Sequence, residues 1–354
     1  MKIMFIDTDL RGHHKPYLNS LAENTKYTVL AALPFKDSDI KCNQIVYETP
    51  ITKSRTLFNY LRWMRELSEI AIENNIDVVH FLYGDYLYRY FGLGLKLFKE
   101  FKIIITFHHM PEDYLRMVSV KRIFERISIG VVHTDYIQKQ LLKNGIKNVK
   151  QIEYPNFHET QIRETNQELS YSFFTTKAPV IAAIGETREN KGLDILLEAL
   201  KRVKQPFNLL IAGKEAHFTK EFIEEKTVDY SSNVKIILKY LSDEELKLCY
   251  EYSDIIVLPY KKSFGGASGP LVEGVWYRKT IVGPKYKSIG DIIKQHHLGY
   301  VFEVENSYSL ALSIEKALEN PTNQHEKYEK FRESLNVKKF ISEYCTLYSS
   351  QLEK

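Results

Sequence analysis

The stretch Gly185-Glu-Thr-Arg-Glu-Asn-Lys-Gly192 lies between the apolar run Pro179 to Ile184 and the amphipathic segment Leu193 to Val203. A buried strand that passes through a glycine-bounded turn into a helix is the unit from which parallel sheets are built. The same turn carries two cations, Arg188 and Lys191, to a helix start, where unpaired N–H groups and the helix dipole favour an anion by about 0.3–1 kcal/mol. A charge pair at about 4 Å is worth roughly 4 kcal/mol at an effective dielectric near 20, so the cations are expected to outweigh the dipole. Two cations and free backbone amides at one point suit a diphosphate. An ordinary polar first turn fits the same residues.

Apolar runs of four to seven residues alternate with helical patterns along the whole chain, the signature of βαβ units and parallel sheets. Strands are expected at Lys2 to Ile6, Tyr27 to Ala32, Ile45 to Tyr47, Val78 to Leu82, Ile103 to Phe107 and Gly130 to His133. Leu57, Leu61, Met64 and Leu67 place a helix over Leu57 to Ile70. Pro155 to Ala178 is polar and aperiodic and reads as an interdomain connection. Beyond it strands are expected at Val180 to Ile184, Leu209 to Ala212, Val234 to Leu238, Ile255 to Leu258, Thr280 to Val282 and Tyr300 to Phe302. Ser242 and Glu245 form a capping box for a helix running to Tyr252. The expected architecture is therefore α/β, with two doubly wound Rossmann-like domains facing a central cleft: residues 1–160, residues 161–335, and a helical tail over 336–354 that packs back on the first domain. Ligands bind at the carboxyl ends of strands in such sheets.

Composition narrows the chemistry. The 354 residues are 44% hydrophobic and 27% charged, which suits two soluble domains. A formal charge of +4 and a pI near 8.6 are too weak and scattered for nucleic acid. Cys42, Cys249 and Cys345 stand far apart, so neither a zinc site nor a disulfide framework is expected, and a reducing compartment is. Met1-Lys-Ile-Met-Phe-Ile6 is too brief an apolar run for a signal peptide, and no segment has the length of a membrane span. A cytoplasmic location is expected, at the inner face of the cell membrane.

Further signals point to the strand ends. Between Tyr260 and Trp276 a glycine-rich loop enters a helix with Pro270 at its expected first position, and Ser268 and Gly269 are placed to give a hydroxyl and amides to phosphate. Glu273, one turn inside, is placed either to accept hydrogen bonds from a ribose diol or to complement the helix dipole. Thr106-Phe-His-His-Met110 ends one strand and His80 stands near the end of another; histidines there look into the crevice when they are not structural. Gly12, His13 and His14 follow the first strand, where a small residue lets a ligand approach the backbone. Asp7-Thr-Asp9 has the spacing of a metal-diphosphate clamp, but no third ligand is evident and no metal is expected.

In order and spacing, these motifs resemble family 4 retaining glycosyltransferases of the GT-B fold: the glycine loop after the first strand, Thr-Phe-His, G-x-x-R-x-x-K-G, Ala-Gly-Lys at Gly213 and Lys214, and Leu-Pro-Tyr before Ser-Gly-Pro-Leu-x-Glu. The resemblance spans nearly the whole chain and is strongest from Ala182 to Glu273. It implies that Arg188 and Lys191 neutralise the diphosphate of a UDP- or GDP-linked sugar donor, that Glu273 holds the ribose, and that Ser268, Gly269 and Pro270 lie along the diphosphate and sugar. It further implies that Gly12 nears the distal phosphate and that His108 stands by the donor sugar. Metal is not usually required, and the leaving phosphate oxygen can take the proton of the acceptor hydroxyl. Gly265 departs from the pattern, standing where the family usually has a glutamate eight residues before Glu273.

The acceptor, a saccharide or lipid-linked saccharide, is expected on the first domain. Aromatic and basic residues gather there at Phe58, Tyr60, Arg62, Trp63 and Arg65, then Tyr86, Tyr88, Arg89 and Tyr90, then Arg116, Lys121, Arg122 and Arg126, a pattern suited either to an anionic membrane surface or to ordinary snorkelling helices. Lys239 and Tyr240 are expected near the nucleotide base. Two other readings stay open: a noncatalytic glycan- or partner-binding homologue, and a nucleotide-sugar epimerase.

Overall fold

The computed structural model describes residues 1–49, 55–111, 113–157, 174–264, 267–322 and 324–352. The chain divides into two compact units, one formed by Met1–Phe157 with Val337–Lys354 and the other by His158–Asn336. Most of the expected connection, and Gly265, lie outside the described residues.

The first unit contains strands β1 (Lys2–Ile6), β2 (Thr28–Leu33), β3 (Asn43–Val46), β4 (Val78–Phe81), β5 (Lys102–Phe107), β6 (Ile129–Val132) and β7 (Val149–Gln151). They form one parallel sheet in the order β3-β2-β1-β4-β5-β6-β7. Helices α1 (His14–Asn24), α2 (Leu57–Glu73), α3 (Tyr114–Phe124) and α4 (Asp135–Lys143) are interleaved with the strands. The central strands are apolar on both faces, as a sheet covered by helices requires. The sequence pattern missed β7, three residues long.

The second unit repeats the plan with β8 (Val180–Ile184), β9 (Asn208–Gly213), β10 (Val234–Leu238), β11 (Ile255–Val257), β12 (Thr280–Pro284) and β13 (Gly299–Phe302), all parallel in the order β10-β9-β8-β11-β12-β13. Its helices are α5 (Leu193–Leu200), α6 (Lys220–Lys226), α7 (Asp243–Glu251), α8 (Gly269–Trp276), α9 (Lys287–Gln295), α10 (Ser307–Glu319) and α11 (Glu326–Ser334). The capping box of Ser242 and Glu245 opens α7 as expected. Helix α5 is shorter than its apolar stripe implies. After Leu200 the bonds tighten to Arg202 N–H on Ala199 and Val203 N–H on Leu200, and Val203 packs on the core from a turn.

Helix α12 (Val337–Leu352) belongs to the first unit and seals its sheet through buried polar aromatics. Tyr344 Oη lies 2.5 Å from Tyr17 Oη and 2.9 Å from Thr106 Oγ1, and Tyr348 Oη lies 2.8 Å from His80 Nδ1. His80 therefore has a structural role. It is fully buried with Thr106 Oγ1 on its other nitrogen at 2.9 Å, and burial lowers its pKa to about 3.

Candidate functional site

In each sheet the order reverses beside the first strand, at β1/β4 and at β8/β11, and the crevice beyond that point is where doubly wound folds take ligands.

In the second unit the chain leaves β8 at Gly185 with φ +119°, a conformation closed to most side chains. A Cβ there would stand 2.5 Å from Lys191 Nζ, and a Cβ at Gly213, the end of β9, would collide with the Gly185 carbonyl. This contact of two backbones leaves room for the Lys191 ammonium to fold back over the turn, 5.6 Å from the Tyr260 ring centroid. Burial first, and then the Arg188 charge, lowers the Lys191 pKa to about 8, while Glu186 and Glu273 pull the other way. Arg188 is different. Its side chain is 51% exposed and its Nε lies 3.7 Å from a Glu186 carboxylate oxygen. Exposed pairs contribute about 0–1 kcal/mol, so the Glu186 contact holds Arg188 only weakly.

Some of the expected free amides along this turn are taken up within the protein, while the backbone N–H groups of Glu186, Glu189 and Asn190 have no backbone acceptor among the described residues. Thr187 N–H donates to the Lys214 carbonyl, Arg188 N–H to Glu186, Lys191 N–H to Arg188 and Gly192 N–H to Glu189. A 3-10 turn over Glu189–Lys191 absorbs these donors before α5 begins at Leu193.

Helix α8 brings the second set of residues to the same place. Ser268 is its N-cap: its hydroxyl accepts from Leu271 N–H at 3.2 Å and lies 3.1 Å from Tyr260 Oη. Gly269 and Pro270 are the first two helical residues, so Pro270 stands second rather than first, and the Gly269 N–H has no intrahelical acceptor. Pro270 Cγ comes within 3.8 Å of the Cβ position at Gly185. Glu273 is the fifth helical residue and only 7% exposed, beyond the first turn and out of solvent, which removes the dipole-complement reading. Its charge acts on Lys191 and contributes, after burial, to raising the pKa values of Tyr250 and Tyr260. Arg188, Lys191, Ser268, Gly269, Pro270 and Glu273 thus gather around Tyr260. Beside them a small, partly open depression is lined by Gly185, Glu186, Thr187, Lys191, Val257 and Tyr260. Lys239, bound to Glu245 at 2.5 Å, and Tyr240, 83% exposed, stand at the end of β10.

In the first unit Gly12 has φ +59° with open space around its Cβ position, in the turn before α1. His108 follows β5 and is buried, its Nε2 donating to the Leu82 carbonyl at 3.0 Å and its backbone N–H to Asp85 Oδ1 at 3.0 Å. Burial, with the nearby His133, holds the His108 pKa well below the ordinary histidine value, so the ring is neutral and Nδ1 keeps a lone pair. Three rings stack in sequence: His14 on Tyr83 at 3.6 Å and Tyr83 on His108 at 3.8 Å. Burial raises the Asp85 pKa to about 6, partly offset by His109 and by the backbone N–H groups of His109 and His108.

Asp7 and Asp9 do not form a clamp: Asp7 Oδ1 lies 2.7 Å from His14 Nδ1, and Asp9 Oδ2 lies 2.7 Å from Arg11 Nη2. Among the described residues no three His, Cys, Asp or Glu side chains come together as metal ligands. All three cysteines are free, and burial raises Cys42 and Cys249 to about 11.

Sequence reasoning passed over Tyr83 and Asp85, which sit just after β4 without a motif to mark them, and it used Tyr260 only as part of Leu-Pro-Tyr. It also overcounted surface aromatics: Tyr60, Trp63, Tyr88 and Tyr90 belong to the core. Phe58 at 74%, Leu57 at 49% and Leu115 at 68% are exposed, with Arg62, Arg65, Arg116, Lys121 and Arg122 on the surface as well. No helix among the described residues is long and apolar enough to cross a membrane.

Two parallel Rossmann-like sheets with interleaved helices have the architecture of the GT-B fold, and known structures bear this out. A glycosyltransferase from Rickettsia africae superposes with a TM-score of 0.75 at 18% identity, covering 100% of this chain and 99% of that one. Anabaena HepE in complex with UDP superposes with a TM-score of 0.74 at 15% identity, covering 99% and 100%. These likenesses establish the fold. The activity class is supported by sequence: residues 167–335 match the family described as Glycosyl transferases group 1. Over 348 residues the chain is 22% identical to the uncharacterized glycosyltransferase MJ1178 of Methanocaldococcus jannaschii, covering 94% of this chain and 91% of that protein. Together they support a glycosyltransferase of the GT-B fold.

Proposed function

We propose that the protein transfers a sugar from a UDP- or GDP-linked donor to a hydroxyl of a saccharide or lipid-linked saccharide, with retention at the anomeric carbon, in bacterial polysaccharide or glycoconjugate synthesis. It would belong with the family 4 enzymes and work without metal, in the cytoplasm at the inner face of the membrane. The observation that carries the reading is the shielded Lys191 ammonium beside the buried Glu273 carboxylate at the β8/β11 switch point.

Breaking the donor bond builds negative charge on the departing diphosphate, and preplaced cations stabilise that charge more in the transition state than in the ground state. Lys191 and Arg188 would carry this charge, with the Gly269 N–H and the Ser268–Pro270 segment along the phosphates and Gly12 near the distal one. Glu273 would accept hydrogen bonds from the ribose diol. His108, neutral and fixed by Leu82, would offer its Nδ1 lone pair to a sugar hydroxyl instead of acting as an acid. UDP occupies the related HepE structure, which makes UDP the first nucleotide to try.

A nucleotide panel in thermal unfolding tests the donor. A ligand at about 100 times its dissociation constant stabilises by roughly 2.7 kcal/mol. Stabilisation by UDP or GDP, followed by mass-spectrometric identification of the consumed nucleotide sugar, supports transfer; no shift with any nucleotide refutes it and favours a binding module, the alternative that Gly265 in place of a glutamate keeps open. The exposed Leu57, Phe58 and Leu115 among cations support contact with an anionic bilayer. Absence of sedimentation with acidic vesicles at low salt would refute that contact.

A further inference from the structure

The β1/β4 switch point holds a constellation that the diphosphate site does not use. Asp7, directly after β1, is 1% exposed. Its Oδ1 accepts the Thr8 N–H at 2.7 Å and the Asp9 N–H at 3.2 Å, and lies 2.7 Å from His14 Nδ1. An oxygen already receiving two N–H donors acts as an acceptor toward the imidazole as well. The proton therefore sits on Nδ1, and Nε2 presents a lone pair. The ring cannot swing freely, because it lies against Tyr83 at an interplanar angle of 19°, and Tyr83 is itself backed by His108 at 8°. The side chain of His14 remains 22% exposed, so its outer edge can be reached. Asp7 Oδ2 is buried without a hydrogen-bond partner among the described residues, an open acceptor in the same carboxylate.

An immobilised imidazole with one nitrogen tied to a buried carboxylate and the other bare is arranged to take a proton from a hydroxyl, the developing imidazolium being stabilised by the carboxylate. We propose that His14 is the base that receives the proton of the saccharide acceptor's nucleophilic hydroxyl, with Asp7 as its positioning residue, an assignment that rests on the glycosyl-transfer reading. In the step, the hydroxyl oxygen bonds to the anomeric carbon and its proton passes to His14 Nε2. The bond from the anomeric carbon to the phosphate oxygen breaks, and its electron pair leaves with the diphosphate. The proton is then lost to water. This base relieves the leaving phosphate of the proton-accepting role that the sequence resemblance implies.

Two measurements on the full chain test the assignment. Long-range nitrogen-15 spectra, with the His14 signal assigned by its loss in H14F, need no substrate: a proton on Nδ1 with bare Nε2 is expected, and protonation on Nε2 overturns the proposal. Turnover is then read with the nucleotide sugar found in the donor screen and with methyl glycosides or water as acceptor probes. H14F, which keeps a ring on Tyr83, and H14A are expected to lose about 10²- to 10⁴-fold in kcat with UDP affinity unchanged within twofold. Added imidazole should restore part of the H14A rate, which a purely structural role would not allow. Transfer by H14F within threefold of wild type, with UDP still bound, overturns the base and leaves the donor reading intact. Failure of the wild type to bind any nucleotide overturns both.

Discussion

Lys191 sets a sharp pH test for the nucleotide site. A diphosphate binds the ammonium form, so affinity should be complete below the free-state pKa of about 8 and should fall as pH rises above it. Binding restores the ammonium toward or beyond its ordinary value of 10.5. Between pH 7 and pH 9.5 the free protein passes from about nine-tenths protonated to about one-thirtieth, so UDP affinity should fall about 25- to 30-fold, or about 2 kcal/mol. Terminal phosphates, with a second pKa of about 6, are about nine-tenths ionised by pH 7 and contribute little across this window. Tyr260 and Cys249, raised to about 12 and about 11, titrate above the window. Titration calorimetry with UDP at half-unit intervals measures the profile. K191R, charged throughout, should flatten it, and K191M should bind weakly and also show no slope. A wild-type profile flat to pH 9.5 with UDP firmly bound would refute the placement of Lys191 against the diphosphate. Without ligand the sign reverses: burial depresses this lysine in the folded state, so stability should rise as pH climbs from about 8 toward 10.5.

E273Q removes a charge that holds Lys191 up, so the midpoint of the same profile should move below pH 8; an unmoved midpoint would separate the two side chains. G213A forces a Cβ onto the Gly185 carbonyl at φ +141° and should cost about 1–3 kcal/mol in chemical denaturation, with UDP affinity lost because the Lys191 turn shifts. Y344F deletes the hydroxyl shared by Tyr17 and Thr106 under α12 and should destabilise the protein by about 1–3 kcal/mol while leaving UDP affinity unchanged; loss of affinity would contradict a structural role.

The sheets were legible because their strands are short apolar runs bounded by polar turns, and Lys2–Ile6, Val180–Ile184 and Val234–Leu238 match the expected limits residue for residue. The Ser242 cap was legible for the same local reason. The state of the amides after β8 was not, because Thr187 bonds to Lys214, a partner 27 positions away that only the sheet brings near. Tyr60 and Trp63 looked like surface aromatics beside Arg62 and Arg65, yet a one-dimensional pattern does not say which stripe of α2 meets the sheet. Asp7-Thr-Asp9 had metal spacing, but spacing does not fix where carboxylates turn, and here they turn to His14 and Arg11.

The two switch points differ in electrostatic character, and the difference follows the chemistry proposed for each. The second unit places Arg188 and Lys191 at strand ends, and accumulating phosphate charge calls for cations. The first places the buried carboxyls of Asp7 and Asp85 beside rings, with His108 held neutral by burial; a hydroxyl about to attack calls for a lone pair. An attacking alcohol would gain no base from the cations after β8, whereas His14 beside Asp7 offers one after β1. The perturbations should therefore separate: K191M should leave the His14 nitrogen signals in place, and H14F should leave the pH profile of UDP binding in place. If H14F instead abolished that profile, His14 would be part of the phosphate site and the division between the two units would fail.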